Sequence, residues 1–108
     1  MYKRILLAVD GSDNALRAAE HGVDLAKATE ATVDIINIID FDDARSEMIQ
    51  TRESELEELR RQRYQPAVDL LTENDIEHEV FVFYGNPGLG IVEHANDHDY
   101  DLVLVGSR

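Results

Sequence analysis

The sequence contains no cysteine, so it can form neither a disulfide nor a metal site built from thiolates. It also lacks a long apolar run near its amino terminus. The first such run, Ile5 to Val9, ends at Asp10 and is too short for the core of a signal peptide or for a membrane span. We therefore expect a cytoplasmic protein that makes no contact with a membrane.

Basic residues are scarce as well. Lysine and arginine together number 10 against 23 aspartates and glutamates, which gives a formal net charge of −13 at pH 7. A nucleic-acid-binding protein needs a basic stripe to contact phosphates, and Arg60, Arg61 and Arg63 stand on a stretch that is also rich in glutamate. We therefore expect no nucleic-acid partner.

The acidic residues are spread along the whole chain and never stand more than two in a row. This distribution indicates an acidic surface rather than an acidic tail, and it suggests a halophile. Repulsion between like charges destabilises the compact state unless salt screens it, and the Debye length falls to about 3 Å at 1 M salt. We expect folding to require high salt, which a melting curve after dialysis into low-salt buffer would test.

The remaining composition favours one folded domain spanning residues 1–108, since 44% of the residues are hydrophobic and no low-complexity tract is present. Apolar and β-branched runs predict strands over 5–9, 31–39, 76–83 and 101–106. Amphipathic stretches predict helices over 13–29, 47–72 and 87–98. This alternation predicts an α/β fold with an open parallel sheet and helices on both faces.

Some residues refine the predicted helices. Pro66 lacks an amide hydrogen, so we expect it to kink or divide the second helix near residues 63–64. Glu57 is placed to pair with Arg60 and Arg61 on the outer face of that helix. Asn74 is expected to end the helix as a left-handed cap.

In an open parallel sheet, the ligand crevice lies beyond the carboxyl ends of the strands. Asp10 and Asp40 end two strands that we expect to be neighbours there, and residues 40–43 are predicted to form an acidic loop. A carboxylate at this edge can accept hydrogen bonds from a ribose or an adenine amine, or help to hold Mg²⁺. It can also bond only to the amides of its own loop. Both interpretations of Asp10 stay open at this point.

Motifs for phosphate binding and catalysis are missing from the expected places. The loop at 10–13 is neither Gly-x-Gly-x-x-Gly nor a P-loop, and no serine has a nucleophile-elbow context. A response-regulator receiver would need an acidic pair where only Asp10 stands, and an aspartate where Tyr84 stands. His94 and His98 have a spacing that suits zinc, but we favour a solvated helix end. We expect no catalytic residues and no metal ligands.

Three groups of residues nevertheless carry a family resemblance. They are the opening segment MYKRILLAVDGS (1–12), the strand end at 38–40 followed by Gly-Asn-Pro at 85–87, and the closing segment DLVLVGSR (101–108). In this order and at this spacing they resemble the universal stress protein family over the whole chain. The resemblance implies the sheet order 3-2-1-4, with a fifth strand beside the fourth that serves to pair two subunits.

The resemblance also implies a nucleotide site. In ATP-binding members, the residues matching Ala8, Asp10 and Ile38 hold the adenosine. The residue matching Gly106 opens a motif, Gly-x-x-Gly-(nine residues)-Gly-Ser/Thr, whose amides hold the phosphates. The expected cofactor is ATP, accompanied by Mg²⁺. The candidate cofactor-binding residues are Ala8, Val9, Asp10, Ile38, Gly106, Ser107 and Arg108.

Two departures from the family pattern bear on this expectation. Ala8 stands where the ATP-binding members often have proline, and after Arg108 the remaining glycines of the motif, the last helix and the fifth strand are missing. We interpret the chain as a C-terminally incomplete member rather than a shortened one. Without a covering strand, Leu102 to Val105 would be an exposed apolar edge that favours dimerisation or aggregation.

These observations predict a stress-response regulator that binds ATP and acts through a nucleotide-dependent conformation or a homodimer, with at most slow ATP hydrolysis. The alternative is a nucleotide-free regulatory module of the same family that works by protein contact. An adenylyl-transferring enzyme of the wider superfamily is disfavoured, because the His-x-x-His signature of those enzymes is absent.

Overall fold

The computed structural model of the protein describes residues 2–50 and 52–106. The four strands form one sheet in the order β3-β2-β1-β4, and every neighbouring pair is parallel. The predicted α/β fold, its strand order and the helices on both faces are confirmed. The elements in chain order are β1 (Arg4–Ala8), α1 (Asp13–Thr29), β2 (Thr32–Ile39), α2 (Phe41–Gln50), α3 (Glu53–Glu73), β3 (His78–Tyr84), α4 (Pro87–Asp97) and β4 (Leu102–Val105).

The sheet face covered by α1 and α3, here called the α1/α3 face, holds the larger core. Strand residues on this face, such as Leu7 and Ile35, are fully buried. The helices meet them mainly with small side chains, which let a helix lie close to the sheet. The helix residues of this core are Ala15, Ala19, Val23, Ala26, Ala67 and Leu71.

The opposite face, here called the α4 face, has a smaller core of Leu6, Ala8 and Ile36, against which α4 packs. The half of this face formed by β4 is not covered in the described part of the chain. Val103 is 37% exposed and Val105 is 56% exposed. Two apolar side chains of β4 are therefore open to solvent on this face within the described residues.

The predicted helix over 47–72 is two helices, α2 and α3, and the division lies between Gln50 and Glu53 rather than at Pro66. Pro66 lies within α3 on an exposed side of the helix. The carbonyl that loses its partner to a proline can bond to water on such a side, so the helix continues through it. No helix within the described ranges combines the length and the apolar character needed to cross a membrane.

Two other local predictions need correction. Residue 41 already begins α2, and Asp40 Oδ1 accepts a hydrogen bond from the Asp42 N–H at 2.9 Å, so the expected loop over 40–43 is a helix start. Asn74 has a φ of −101° and is not left-handed. The left-handed residue is Asp75, with a φ of 56°, a region that the short polar side chain of aspartate tolerates.

An ion pair between α2 and α3 replaces one that the sequence predicted within a helix. Glu47 of α2 lies 3.7 Å from Arg60 of α3, and both side chains are largely buried. Arg61 pairs with Glu58, one turn before it. The predicted pairing of Glu57 with these two arginines is wrong, because Arg60 turns toward α2 and Glu58 lies nearer to Arg61.

Asp101 joins the two ends of the described chain. Its Oδ2 accepts hydrogen bonds from the backbone N–H groups of Lys3 at 2.7 Å and Arg4 at 2.9 Å. These two bonds, with that of Arg4 the stronger influence, lower the pKa of the Asp101 carboxyl. The start of β1 is thereby fixed beside the start of β4.

Candidate functional site

A cavity of about 190 Å³ lies at the carboxyl ends of β1, β2 and β4 on the α4 face. All five candidate residues that the structure describes line it: Ala8, Val9, Asp10, Ile38 and Gly106. Ser107 and Arg108 lie outside the described residues. The cavity also has walls that the sequence analysis did not select, namely Ile36, Pro87, Ile91 and Val105.

The walls of this cavity follow from the alternation of side chains along parallel strands. Ala8, Ile36 and Ile38 point to the α4 face, so their side chains form one apolar surface there. Val9 points the opposite way and packs in the α1/α3 core, so it borders the cavity through its backbone. Ala8 is small, which leaves room above β1 where a larger side chain would fill the space.

The backbone of Ile38 lies at the point where pairing between β1 and β2 stops. The carbonyl of Ile36 accepts a bond from the Val9 N–H at 3.0 Å, so Ile36 faces β1, and Ile38 faces the same way two residues later. The next bond of the ladder would run from the Ile38 N–H to the Val9 carbonyl. That carbonyl instead accepts from Asn37 Nδ2 at 2.8 Å.

The Ile38 N–H and C=O are therefore a donor and an acceptor at the end of the ladder. In the described ranges, neither forms a backbone hydrogen bond with the loop that follows β1. Asn37, whose side chain bonds to the Val9 carbonyl at this point, is 2% exposed. A buried asparagine in a strand of β-branched residues is the sequence signal for this feature, and the sequence analysis did not use it.

Asp10 stands at the mouth of the cavity and closes the turn into α1. Its Oδ1 accepts a hydrogen bond from the Ser12 N–H at 2.9 Å, and the Ser12 hydroxyl in turn caps α1 by accepting from the Ala15 N–H at 3.1 Å. The loop-amide interpretation of Asp10 thus holds, and the residue lines the cavity as well. Asp40 does not line this cavity, because its carboxylate starts α2 instead.

Gly106 packs directly on the first turn of α1. A Cβ at this position would lie 2.5 Å from backbone atoms of Asn14 and Ala15, which cannot move aside as a flexible side chain can. The close approach places the end of β4 against the start of the helix that follows Asp10. Only glycine allows this arrangement.

A second cavity, of about 430 Å³, lies between α4 and the end of β3 and shares Ile38 as a wall. Gly90 of α4 faces this residue, and a Cβ on Gly90 would clash with Ile38 Cδ1. Because Gly90 has no side chain, the side chain of Ile38 can lie between the two cavities.

A sequence profile described as "Universal stress protein family" matches residues 1–108. The chain belongs to the universal stress protein family. It is 25% identical to the universal stress protein YxiE of Bacillus subtilis (strain 168), over an alignment that covers 100% of this chain and 80% of that protein.

Solved structures of universal stress proteins share the fold. One, in complex with cAMP, has a TM-score of 0.70 at 24% identity and is covered over 75% of its length by 96% of this chain. Another, from Arabidopsis thaliana with AMP bound, has a TM-score of 0.72 at 14% identity and is covered over 76% of its length by 97% of this chain. At these identities the likeness shows the fold.

This universal stress protein also contains a polar relay on the α4 face that the sequence did not predict. Arg4 pairs with Asp34 at 3.2 Å, and the Tyr100 hydroxyl donates to the same Asp34 oxygen at 2.7 Å. The Tyr100 oxygen lies 3.1 Å from His94 Nε2. We call these four residues, Arg4, Asp34, Tyr100 and His94, the relay.

The relay overturns the expectation of a solvated helix end at the two histidines. His94 is 6% exposed, and its ring packs 4.5 Å from Phe81 and 4.2 Å from His98, between ring centroids. Burial, and next the nearby His98, lower the pKa of His94. Burial and the bond to Asp34 raise the pKa of Tyr100, so its hydroxyl keeps its proton. Among the described residues, no group of three side chains could hold a metal ion.

Proposed function

We propose that this universal stress protein binds ATP in the cavity at the carboxyl ends of β1, β2 and β4, and that the nucleotide controls its conformation or its assembly in a stress response. The observation that carries the proposal is the backbone N–H and C=O of Ile38, which have no hydrogen-bond partner within the described ranges, beside an apolar cavity. Its volume of about 190 Å³ is below the roughly 300–1,000 Å³ of a drug-sized pocket, so it suits the base rather than a whole nucleotide.

Adenine fits the chemistry of this cavity. The edge of the base offers an amine donor next to a ring-nitrogen acceptor, and the Ile38 C=O and N–H offer the matching acceptor and donor. Ala8, Ile36 and Ile91 supply the apolar walls that the faces of a base require. The side-chain amide of Asn37 donates to the Val9 carbonyl, and the Ile38 N–H is left for the ligand.

The sugar and phosphates would lie toward the start of α1. Asp10 can accept a hydrogen bond from a ribose hydroxyl while it also receives the Ser12 N–H. Mg²⁺ is commonly held by one or two carboxylates together with phosphate oxygens, and Asp10 would be the carboxylate here. Gly106 packs against the start of α1, and we propose that Ser107 and Arg108, which follow it in the sequence, contact the phosphates.

The relatives support the binding of an adenine nucleotide but do not indicate how many phosphates it carries. One structural neighbour is described with cAMP and another with AMP, and both share the fold over most of this chain. ATP is our choice because Gly106 stands where the family's phosphate motif opens. We further propose that two chains form a homodimer through the uncovered side of β4 and that the homodimer acts in the cytoplasm. We propose at most slow hydrolysis of ATP.

Calorimetric titration of the chain with ATP, ADP, AMP and cAMP, each with Mg²⁺, tests this proposal. We expect ATP to bind most tightly. Asp10→Asn should weaken ATP binding by about tenfold, because a charge-assisted hydrogen bond contributes about 1.5 kcal/mol. Asp13→Asn removes the same charge three residues away, outside the cavity, and should change affinity by less than about twofold.

Two results would contradict the proposal. The absence of heat for every nucleotide at millimolar concentration would favour the nucleotide-free regulatory module. Equal losses in Asp10→Asn and Asp13→Asn would show that general charge, rather than the cavity, determines binding.

A further inference from the structure

We infer that the 430 Å³ cavity between α4 and β3 is a second binding site, for a small organic cation in which a protonated amine is attached to an alkyl or aryl body. The volume lies within the roughly 300–1,000 Å³ typical of small-molecule pockets. Its lining includes two carboxylates, Glu93 and Asp97, an exposed aromatic ring, Phe83, and a buried imidazole, His94. No lysine or arginine in the described part of the chain lines it.

The relay fixes which nitrogen of His94 carries the proton. The only hydrogen of the Tyr100 hydroxyl goes to Asp34, so the Tyr100 oxygen can only accept from His94. His94 Nε2 must therefore be the protonated nitrogen, and Nδ1 is left as an acceptor in the neutral ring. The lowered pKa of His94 keeps the ring neutral at pH 7.

His94 Nδ1 lacks a protein partner. Although the residue is only 6% exposed, Nδ1 forms no hydrogen bond within residues 2–50 and 52–106, whereas Nε2 does. Nδ1 is also not one of the atoms in this part of the chain that are sealed from solvent without a partner. The space that His94 borders is the 430 Å³ cavity. Nδ1 is therefore an acceptor without a protein partner in the described residues, on a side chain that lines the cavity, and a donor on a ligand bound there can take the place of water.

The other lining groups define the ligand as an organic cation. Carboxylates and an imidazole acceptor favour a donor that carries positive charge and disfavour an anion. A metal ion is not favoured, because the described residues contain no set of three ligands close enough to share one. Phe83 lines the cavity and is 43% exposed, so an aromatic ring is available to an ammonium group, while Leu89, 63% exposed, can cover the apolar body.

The test is a titration of the ¹⁵N-labelled chain with benzylammonium at about pH 7.5, where the free imidazole is neutral and the amine charged. The histidine side-chain nitrogens are followed by NMR. We expect a saturable shift at His94 Nδ1, with little change at the exposed His21. Glu93→Gln should weaken binding by about fivefold. His94→Gln should do the same, because glutamine keeps a donor toward Tyr100 but places no acceptor at the Nδ1 position.

The matched control is Glu20→Gln, which removes one exposed charge from α1, away from the cavity. It should change the affinity by less than about twofold. Equal weakening in Glu20→Gln and Glu93→Gln, or no shift of His94 at millimolar probe, would overturn the inference, because the acidic surface alone would then attract the amine. Glu93 is exposed, so this comparison does not depend on a variant that fails to fold.

Discussion

The two faces of the sheet are built in different ways although they share the same strands. On the α1/α3 face, two long helices cover the strands mainly with apolar side chains, although the buried Asn37 of β2 also lies on this face. On the α4 face, one helix of 11 residues covers a small apolar cluster, and the relay of ionic and hydrogen-bonding groups lies beside it. Both cavities with a proposed ligand also open on this face.

The difference assigns separate roles to the two faces. Apolar burial is the dominant favourable contribution to folding, so the α1/α3 face supplies most of the stability. Polar groups in a core stabilise it only when each has a hydrogen-bond partner. They also fix the orientation and the protonation state of the groups to which they bond. The α4 face therefore carries the recognition chemistry, and substitutions on the two faces should have different effects.

The largest expected difference is between Leu7→Ala and Leu6→Ala. These are adjacent, fully buried leucines whose side chains lie on opposite faces of β1. Leu7→Ala should lower the free energy of unfolding by about 3–5 kcal/mol, and Leu6→Ala by about 2–3 kcal/mol, because the smaller cluster can collapse into the space that is left. Urea denaturation measures both. Equal losses would mean that the α4 face is as tightly packed as the α1/α3 face.

A smaller effect should come from hydroxyl deletion. Tyr100→Phe breaks the relay between Asp34 and His94 and should destabilise the protein by about 1–3 kcal/mol, because buried partners lose their hydrogen bonds. Tyr64→Phe is the matched control on the α1/α3 face, where Tyr64 packs against the apolar core. It should cost less than about 0.5 kcal/mol. A harmless Tyr100→Phe would show that the relay contributes nothing to stability.

The smallest expected effect is a pH dependence of the free energy of unfolding that comes from His94 on the α4 face. The pKa of His94 is lowered in the folded state, so folding favours the neutral ring. This contribution of His94 to the free energy of unfolding is fully present above the unfolded pKa of about 6.5. It falls as the pH drops from there toward the folded pKa. One proton changes the free energy of unfolding by at most about 1.4 kcal/mol per pH unit.

His94→Gln should remove this slope, as chemical denaturation at several pH values would show. His21→Gln, which removes an exposed histidine from α1, is the matched control. If both variants kept the slope of the unmodified chain, His94 would not be the group that titrates.

Features that depend on residues near one another in sequence were predictable. The start of α1 at residue 13, its end at 29 and the start of α4 at 87 follow from local backbone chemistry, and the structure confirms these predicted bounds. The strand order came from the resemblance to the family. The candidate residues Ala8, Val9, Asp10, Ile38 and Gly106 came from the resemblance to the family, and the structure places all five around one cavity. Their role in binding stays a prediction.

Features that depend on distant partners were missed. His94 is buried because Phe81 and Tyr100 pack against it from other parts of the chain, and spacing along α4 contains no information about either. Pro66 gives the opposite case, since a strong local rule failed where an exposed helix side satisfied the backbone in another way. Asn37 shows that a single buried amide can redirect a strand ladder, which no periodicity reveals.

The position of β1 in the centre of the sheet has a consequence for folding kinetics. Its partner β4 lies at the other end of the described chain, and the bonds from Lys3 and Arg4 to Asp101 span 98 and 97 residues. Contacts of such long sequence separation slow folding, because a large loop must close before they form. During synthesis, β1 must wait for β4 to be made, with one edge unpaired in the meantime.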